Sequence, residues 1–298
     1  MLCQRLDATN KTHIQKAADL IRAGHLVAFP TETVYGLGAL GLNPEAIQKI
    51  FDAKNRPNYN PLILHVSSAE KALELVDLKS TDLFWQLAQK YWPGPLTLVA
   101  PKAQVVPLLA TGGLDKVAVR VPRNPVALEL LKWVDAPIAA PSANLSGRPS
   151  STTAEHVLLT LGNRISAILD AGPCEYGLES TVLDISKTPA VILRLGALDL
   201  QDFDFEHSEK IAGSPGRLDK HYAPLIAEIR WASPEEIKQA PSDVTCLVCT
   251  QNSTDYARDL FAKFYAFEQA GVKRLWIEHL PKDKAWNALR DRIQRALS

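Results

Sequence analysis

At 298 residues the chain exceeds the usual reach of one hydrophobic core, so one large domain plus a smaller one is expected. Thirty-three basic and thirty-three acidic residues cancel, which argues against a protein that lives on nucleic acid, where a net basic excess is the rule. No apolar run approaches the roughly 20 residues needed to cross a bilayer. The N-terminus MLCQRLDATN has no apolar signal core, so no membrane association and a cytoplasmic location are expected.

In chain order, Thr12-His13-Ile14-Gln15 has the form of a capping box, and Ile14, Ala17, Ala18 and Ile21 repeat at helical spacing before Gly24. The apolar run 26–29, stopped by Pro30, reads as a buried strand meeting a turn. Three oxygen-bearing side chains follow, Thr31, Glu32 and Thr33, and then Tyr35 and the glycines Gly36, Gly38 and Gly41, read as a polar glycine-rich loop. Asn43 as N-cap and Pro44 at the first helical position open a helix that buries Ile47, Ile50 and Phe51. It ends in Lys54-Asn55-Arg56-Pro57, and the apolar run 62–66 that follows carries His65. Polar groups gathered at strand and helix ends are where α/β folds place their chemistry.

Ser68 opens a helix carrying Ala72, Leu75 and Val76, and 82–92 is an aromatic-rich helix closed by Pro93-Gly94-Pro95. Strands are expected at 96–100 and 117–121. The second holds Arg120 between apolar neighbours. A charge there usually faces solvent, whereas a guanidinium fork also suits a carboxylate. A helix at 124–133 leads to a short strand, 137–140, running into Pro141-Ser142-Ala143-Asn144. Its two hydrogen-bonding side chains could grip phosphate or ribose, although a Ser-x-Asn often merely caps a turn. A helix at 153–161 and strands at 165–170, 181–185 and 190–195 complete a first domain over 1–200.

Residues 197–216 lose periodicity and are rich in acids, so 201–224 is read as a linker, with Ser214-Pro215-Gly216 and His221-Tyr222-Ala223-Pro224 towards its end. Strands at 226–231, 244–249 and 274–277 then alternate with helices at 234–239, 255–269 and 284–297. That pattern predicts a small open α/β domain over 225–298. Cys3, Cys174, Cys246 and Cys249 form no disulfide framework in a chain this long. Cys246-x-x-Cys249 lies in an apolar run without two further ligands nearby, so buried strand residues are expected rather than a zinc site.

Gly36 to Gly41 matches GxGxxG, but the dinucleotide fingerprint needs a strand feeding straight into the glycines and an acid ending the next strand. Here six residues separate Phe29 from Gly36, and the next strand ends near His65. The glycines are better read as permitting close backbone approach or a sharp turn. Lys54 and Arg56 could simply complement a helix dipole, worth about 0.3–1 kcal/mol. With Asn60 and His65 beside them the cluster is more polar than capping needs, and with Arg194 and Lys116 it could neutralise a triphosphate. No GxxxxGK[ST], HExxH or GxSxG is present.

Several of these segments together resemble the YrdC-like family, the threonylcarbamoyl-AMP synthases. They are FPTETVYGLG at 29–38, Lys54-x-Arg56, NPLILH at 60–65, Arg120 in VAVRVP and Ser142-x-Asn144 followed by SGRPS; Glu179-Ser180-Thr181 and Arg194-Leu195-Gly196 complete the set. The SPG and HYAP motifs resemble the interdomain segment of the longer, two-domain members, although Arg217-Leu218-Asp219-Lys220 replaces a more basic and aromatic stretch. The last helix also lacks the glycines the resemblance leads one to expect. The resemblance implies an α/β fold: a large YrdC-like twisted mixed domain and a small, shortened Rossmann-like C-terminal domain.

It also implies a reaction, in which L-threonine, bicarbonate and ATP give threonylcarbamoyl-AMP and pyrophosphate. Threonine would be held by Thr33, His65, Arg120, the Ala140 backbone and Ser180. ATP would be held by Arg56, Asn60, Lys116, Ser142, Ser150 and Arg194, helped by Asn144 and with Tyr222 closing over it. Lys54 and Arg56 would be the catalytic cations, and position 116 often carries a hydroxyl in the family. Glu32 would be a base, a metal ligand or a brace for its loop. Mg2+ would enter on the ATP phosphates, with no protein metal site assigned. The product would pass to a separate tRNA threonylcarbamoyl transferase complex, with a weak contact to tRNA itself. Two alternatives remain at this point: a structured-RNA-binding protein, and a carbamoyl-adenylating enzyme with another acceptor, as in hydrogenase maturation proteins.

Overall fold

Two sheets organise the chain. The computed structural model describes residues 3–200, 206–207, 221–249 and 252–297; Ser214-Pro215-Gly216 and Arg217-Leu218-Asp219-Lys220 lie outside them. The first part runs β1 (Gln4–Asp7), α1 (Lys11–Arg22), β2 (Val27–Phe29), β3 (Gly36–Leu40), α2 (Pro44–Lys54), β4 (Ile63–His65), α3 (Ala69–Leu73) and α4 (Asp82–Tyr91). It continues with β5 (Leu96–Pro101), β6 (Lys116–Arg120), α5 (Pro125–Val134), β7 (Ile138–Ala139), α6 (Ala154–Leu161), β8 (Ala167–Asp170), β9 (Thr181–Asp184), β10 (Val191–Arg194) and β11 (Glu206–His207). Among the described residues these strands form one mixed sheet in the order β1-β8-β2-β3-β7-β4-β6-β5-β9-β10-β11. One layer of core packs α2 through Ile47, Ile50 and Phe51, and a second packs α1 and α5 through Ile14, Ile21, Leu130 and Val134.

The smaller part holds β12 (Glu228–Ala232), α7 (Pro234–Lys238), β13 (Thr245–Leu247), α8 (Ser253–Gln269), β14 (Arg274–Glu278) and α9 (Asn287–Leu297). Its parallel sheet, β12-β14-β13, packs under Phe261 and Phe264 of α8 and Leu289 and Ile293 of α9. The expected mixed α/β fold with a small second sheet is therefore what forms. No helix among the described residues is long and apolar enough to cross a membrane.

Several local expectations are corrected. The glycine-rich stretch is a strand, not a loop: β3 pairs antiparallel with both β2 and β7. A Cβ on Gly38 would lie 2.9 Å from the Phe29 ring and 3.0 Å from Ile138, so the glycines are there for close packing across the sheet. The cap of α1 is Asn10, whose side chain accepts from the Thr12 N–H at 3.0 Å, rather than a box starting at Thr12. Strand β1, which the sequence reading missed, is a half-exposed edge with only Leu6 buried, so it carries little periodic signal. Helix α3 stops at Leu73, leaving Leu75 and Val76 outside it, and the acidic stretch expected to be linker contributes β11 against β10. The last helix starts with a 3-10 turn, Lys284–Trp286, capped by Asp283. Cys246 and Cys249 are half-buried rather than buried, and Cys249 lies beyond the end of β13.

Candidate active site

Sheet register builds the site. Strands β4 and β6 are parallel, with His65 opposite Arg120 at their carboxyl ends, and β7 sets Ile138 beside His65. A bridge between Gly36 and Ser142 brings the turn after β7 onto the start of β3. The turn between β2 and β3 is shaped by Thr31. Its hydroxyl donates to the Val34 carbonyl at 2.6 Å and accepts from the Val34 N–H at 3.2 Å, while lying 2.8 Å from the Thr33 hydroxyl.

These ends enclose an open cavity whose empty space, solvent at the mouth included, is about 570 Å³. Of the residues singled out from sequence, Thr33, Arg56, His65, Arg120, Ala140, Ser142, Ser180, Arg194 and Tyr222 line it. Lys54, Asn60, Lys116, Asn144 and Ser150 do not. Lys54 lies behind the wall, its ammonium donating to the carbonyls of Ser142, at 2.5 Å, and Asn144. Asn60 is buried, and its carbonyl accepts from Arg56 Nε at 3.3 Å. Lys116 begins β6, four residues and so about 13 Å from Arg120, and pairs with Asp184 at 2.8 Å. Asn144 braces its own turn through Leu145 and Arg148 carbonyls, and Ser150 donates to Glu179.

Arg120 is buried, not solvent-facing. Its guanidinium donates to Gly94 O at 3.2 Å, Thr33 Oγ1 at 3.0 Å and Glu32 Oε1 at 2.7 Å. Glu32 thus braces this fork. Arg194 donates to the Ser180 carbonyl at 2.9 Å and hydroxyl at 3.1 Å, and that hydroxyl lies 2.7 Å from Thr97 Oγ1. Arg56 Nη2 donates to the Pro61 carbonyl at 3.0 Å. The linker enters as His221 and Tyr222, the latter at φ +66°, stacked on Phe261 of α8. Among the described residues, two wall groups, His221 Nδ1 and the Tyr222 hydroxyl, are buried without a hydrogen-bond partner, and Asn60 Nδ2 and Asn144 Oδ1 are so behind the wall. Such orphans are rare in a folded core, and the two on the wall suit a polar ligand.

Burial sets most protonation states. It pushes the His65 imidazole down to about 3, with Arg120 adding to the effect, and His221 down to about 3 as well. Both are neutral near pH 7. Burial also lowers Arg56, to about 10, and pulls Lys54 well below the usual lysine range. Burial alone would raise the Glu179 carboxyl, but the Arg292 and Arg194 guanidiniums outweigh it and hold it at about 2. Arg120 does the same for Glu32, against its burial, holding it below the ordinary range. At neutral pH the wall therefore carries charged arginines, one charged carboxylate and uncharged imidazoles.

The sequence reading chose neither Thr31, Glu179 and His221 for the wall nor Arg292 behind it. Glu179 and His221 stand inside the EST and HYAP motifs, which could have pointed to them. Arg292 stands in no motif.

A family profile labelled Sua5/YciO/YrdC and described as "Telomere recombination" matches residues 19–196. A second, "Threonylcarbamoyl-AMP synthase, C-terminal domain", matches residues 183–298. The chain belongs to the threonylcarbamoyl-AMP synthase family. The threonylcarbamoyl-AMP synthase of Pyrococcus abyssi (strain GE5 / Orsay) is 48% identical over 235 residues, 75% of this chain and 69% of that one. That of Bacillus subtilis (strain 168) is 42% identical over 245 residues, 78% of this chain and 70% of that one. A crystal structure of P. abyssi Sua5 complexed with L-threonine matches with a TM-score of 0.92 at 36% identity, over 100% of this chain and 98% of that one. The family's reaction is a nucleotidyl transfer that yields an adenylate.

Proposed function

We propose that this chain is an L-threonylcarbamoyladenylate synthase, joining L-threonine, bicarbonate and ATP with release of pyrophosphate, for threonylcarbamoyladenosine formation in tRNA. The observation that carries the reading is one cavity lined by Arg56, Arg120 and Arg194 together with hydroxyl and imidazole groups. Arg120, fixed on three acceptors, with Thr33, His65, Ala140 and Ser180 makes a set suited to an amino acid's carboxylate, amine and hydroxyl. Arg56, Arg194, Ser142 and Tyr222 suit a nucleotide triphosphate.

The chemistry follows from that wall. Threonine's amine and bicarbonate give a carbamate and water; a carbamate oxygen then attacks the α-phosphorus of ATP, and pyrophosphate leaves from the opposite side. Both partners are anions, so alignment and charge neutralisation are the main requirements, and Arg56 and Arg194 supply the charge. His65 and His221 are neutral groups that orient rather than titrate. Lys54 acts through the turn it ties down, and so does Asn144; Asn60 and Ser150 support Arg56 and Glu179 from behind the wall. Lys116 stands outside this wall, paired with Asp184 at 2.8 Å. Among the described residues no cluster of three or more His, Cys, Asp or Glu could hold a metal ion. In this reading Mg2+ enters as part of the MgATP substrate. A role in tRNA modification implies work in the cytoplasm, transfer of the product to a separate tRNA threonylcarbamoyl transferase complex and at most a weak contact with tRNA.

Chromatographic detection of threonylcarbamoyl-AMP from the purified protein tests the reading. Product is expected with L-threonine and bicarbonate and lost when either is omitted. An adenylate formed equally well on other carbamoyl acceptors would favour the other-acceptor reading instead.

A further inference from the structure

Glu179 presents a difficulty for a site that takes a triphosphate. It is the acidic residue of the cavity wall, it is buried, and a charged carboxylate there opposes an incoming polyanion. One oxygen accepts from the Ser150 hydroxyl, and the other is 2.8 Å from Arg292 Nε. Arg292 comes from α9, the last helix of the small domain, and its side chain is 0% exposed. It also donates to the Leu195 carbonyl at 2.8 Å, beside Arg194, and to Asp291 at 2.6 Å. Its guanidinium carbon lies 5.1 Å from the centroid of the Tyr222 ring.

Packing does not require an arginine there. Leu289, Ile293 and Ala296 already bury the apolar stripe of α9, and burying a guanidinium is costly unless its partners are fixed. The two parts of the chain are also joined elsewhere, by Arg148 with Glu268 at 2.5 Å and by the Tyr265 hydroxyl donating to Pro149 O at 2.7 Å. Neither of those contacts touches an acid of the cavity wall.

We propose that Arg292 is a positioning residue for ATP: by neutralising Glu179 and backing Tyr222 it keeps the cavity cationic, which makes the small domain part of the nucleotide site. This rests on the synthase reading for the identity of the nucleotide. In an Arg292→Met variant the groups left facing Glu179 would be Arg194 from β10, the Ser150 hydroxyl, and His221 and Tyr222 from the linker, with Asp291 on α9 acting on Tyr222. With Arg292 gone, burial raises the Glu179 carboxyl, so acidification removes its charge and restores nucleotide binding.

The test measures affinity for a non-hydrolysable ATP analogue with Mg2+, alongside KM for ATP and for threonine. Arg292→Met is expected to weaken ATP about tenfold or more, with KM for threonine moving less than about threefold and with the ATP loss shrinking as pH falls from 8 to 6. Adding Glu179→Gln to that variant is expected to recover most of the loss, because it removes the opposing charge and leaves Ser150 an acceptor. A purely structural role would weaken both substrates alike, without pH dependence and without recovery, and that result overturns the proposal. If Arg292→Met does not fold, Glu179→Gln alone decides: tighter ATP supports the proposal, and weaker ATP refutes it. A wild type that binds the analogue but makes no product would refute the synthase reading alone; one that binds no analogue would overturn both.

Discussion

Replacing Lys54 by methionine separates two roles that a buried lysine near a phosphate site can play. The side chain is 1% exposed, and its ammonium holds the carbonyls of Ser142 and Asn144. Its own carbonyl accepts from the Ser146 N–H at 2.9 Å, so α2 and the turn after β7 are tied from both sides. Methionine fills a similar volume without a donor. The buried Asn144 carbonyl would then lack a partner, at about 1–3 kcal/mol, while the half-buried Ser142 carbonyl keeps the Asn144 N–H at 3.1 Å. The loss is offset in part because no ammonium need be desolvated. The net expectation is a loss of about 1 kcal/mol in urea unfolding. In steady-state kinetics the shift of Ser142 should raise KM for ATP by about tenfold, with kcat falling less. Unchanged stability together with a collapse of kcat by about a thousandfold would refute this reasoning, because it would put the ammonium on the reacting phosphate instead.

Arg120→Lys keeps the charge but loses the fork fixed by Gly94, Thr33 and Glu32, so KM for threonine should rise about a hundredfold; an unchanged value would remove threonine from that wall. Acid stability should depend on His65 and His221, whose folded-state values of about 3 lie below the ordinary 6.5, and on His156, which burial lowers to about 4. As pH falls below about 6.5 the unfolded chain takes up these protons and the folded one does not. Stability should therefore drop by up to about 1.4 kcal/mol per pH unit for each histidine. The carboxylates Glu179 and Glu32, held low, keep their contribution until the pH falls below their ordinary range near 4.5, so urea unfolding at pH 7, 6 and 5 isolates the histidines. A flat profile would contradict their burial as neutral groups. Gly38→Ala, whose Cβ would meet Phe29 at 2.9 Å and Ile138 at 3.0 Å, should cost about 1–3 kcal/mol by overpacking, read by the same unfolding assay.

What could be read from sequence and what could not divide along the range of the interactions. Helix α2 is set by neighbours: Asn43 caps it, Pro44 opens it and Asn55 closes it in the left-handed region, so local rules suffice. The strand identity of 36–40 was hidden because its reason lies elsewhere. Gly36 and Gly38 make room for the Phe29 ring, for Ile138 of β7 and for Ala140 just after it, and from their own sequence they look like a loop. Arg120 was ambiguous for a similar reason, since its burial depends on Glu32 and Gly94, each far from it in the chain. The wall residues in contiguous motifs, such as His65, Ser142 and Ser180, were found through the family resemblance rather than through spacing. Arg292 pairs with Glu179 across 113 residues, in a helix whose sequence reads as an ordinary amphipathic stripe. No local pattern marks it.

The most direct measurement is pyrophosphate release from ATP with bicarbonate, with and without L-threonine, in the wild type and in Arg56→Ala. Arg56 lines the cavity and keeps its position through backbone carbonyls of Asn60 and Pro61, so its loss should remove charge from the triphosphate without collapsing the wall. The account expects release that requires both threonine and bicarbonate and that falls by at least about a hundredfold in the variant. Release independent of threonine, or a folded Arg56→Ala protein as active as wild type, would contradict it.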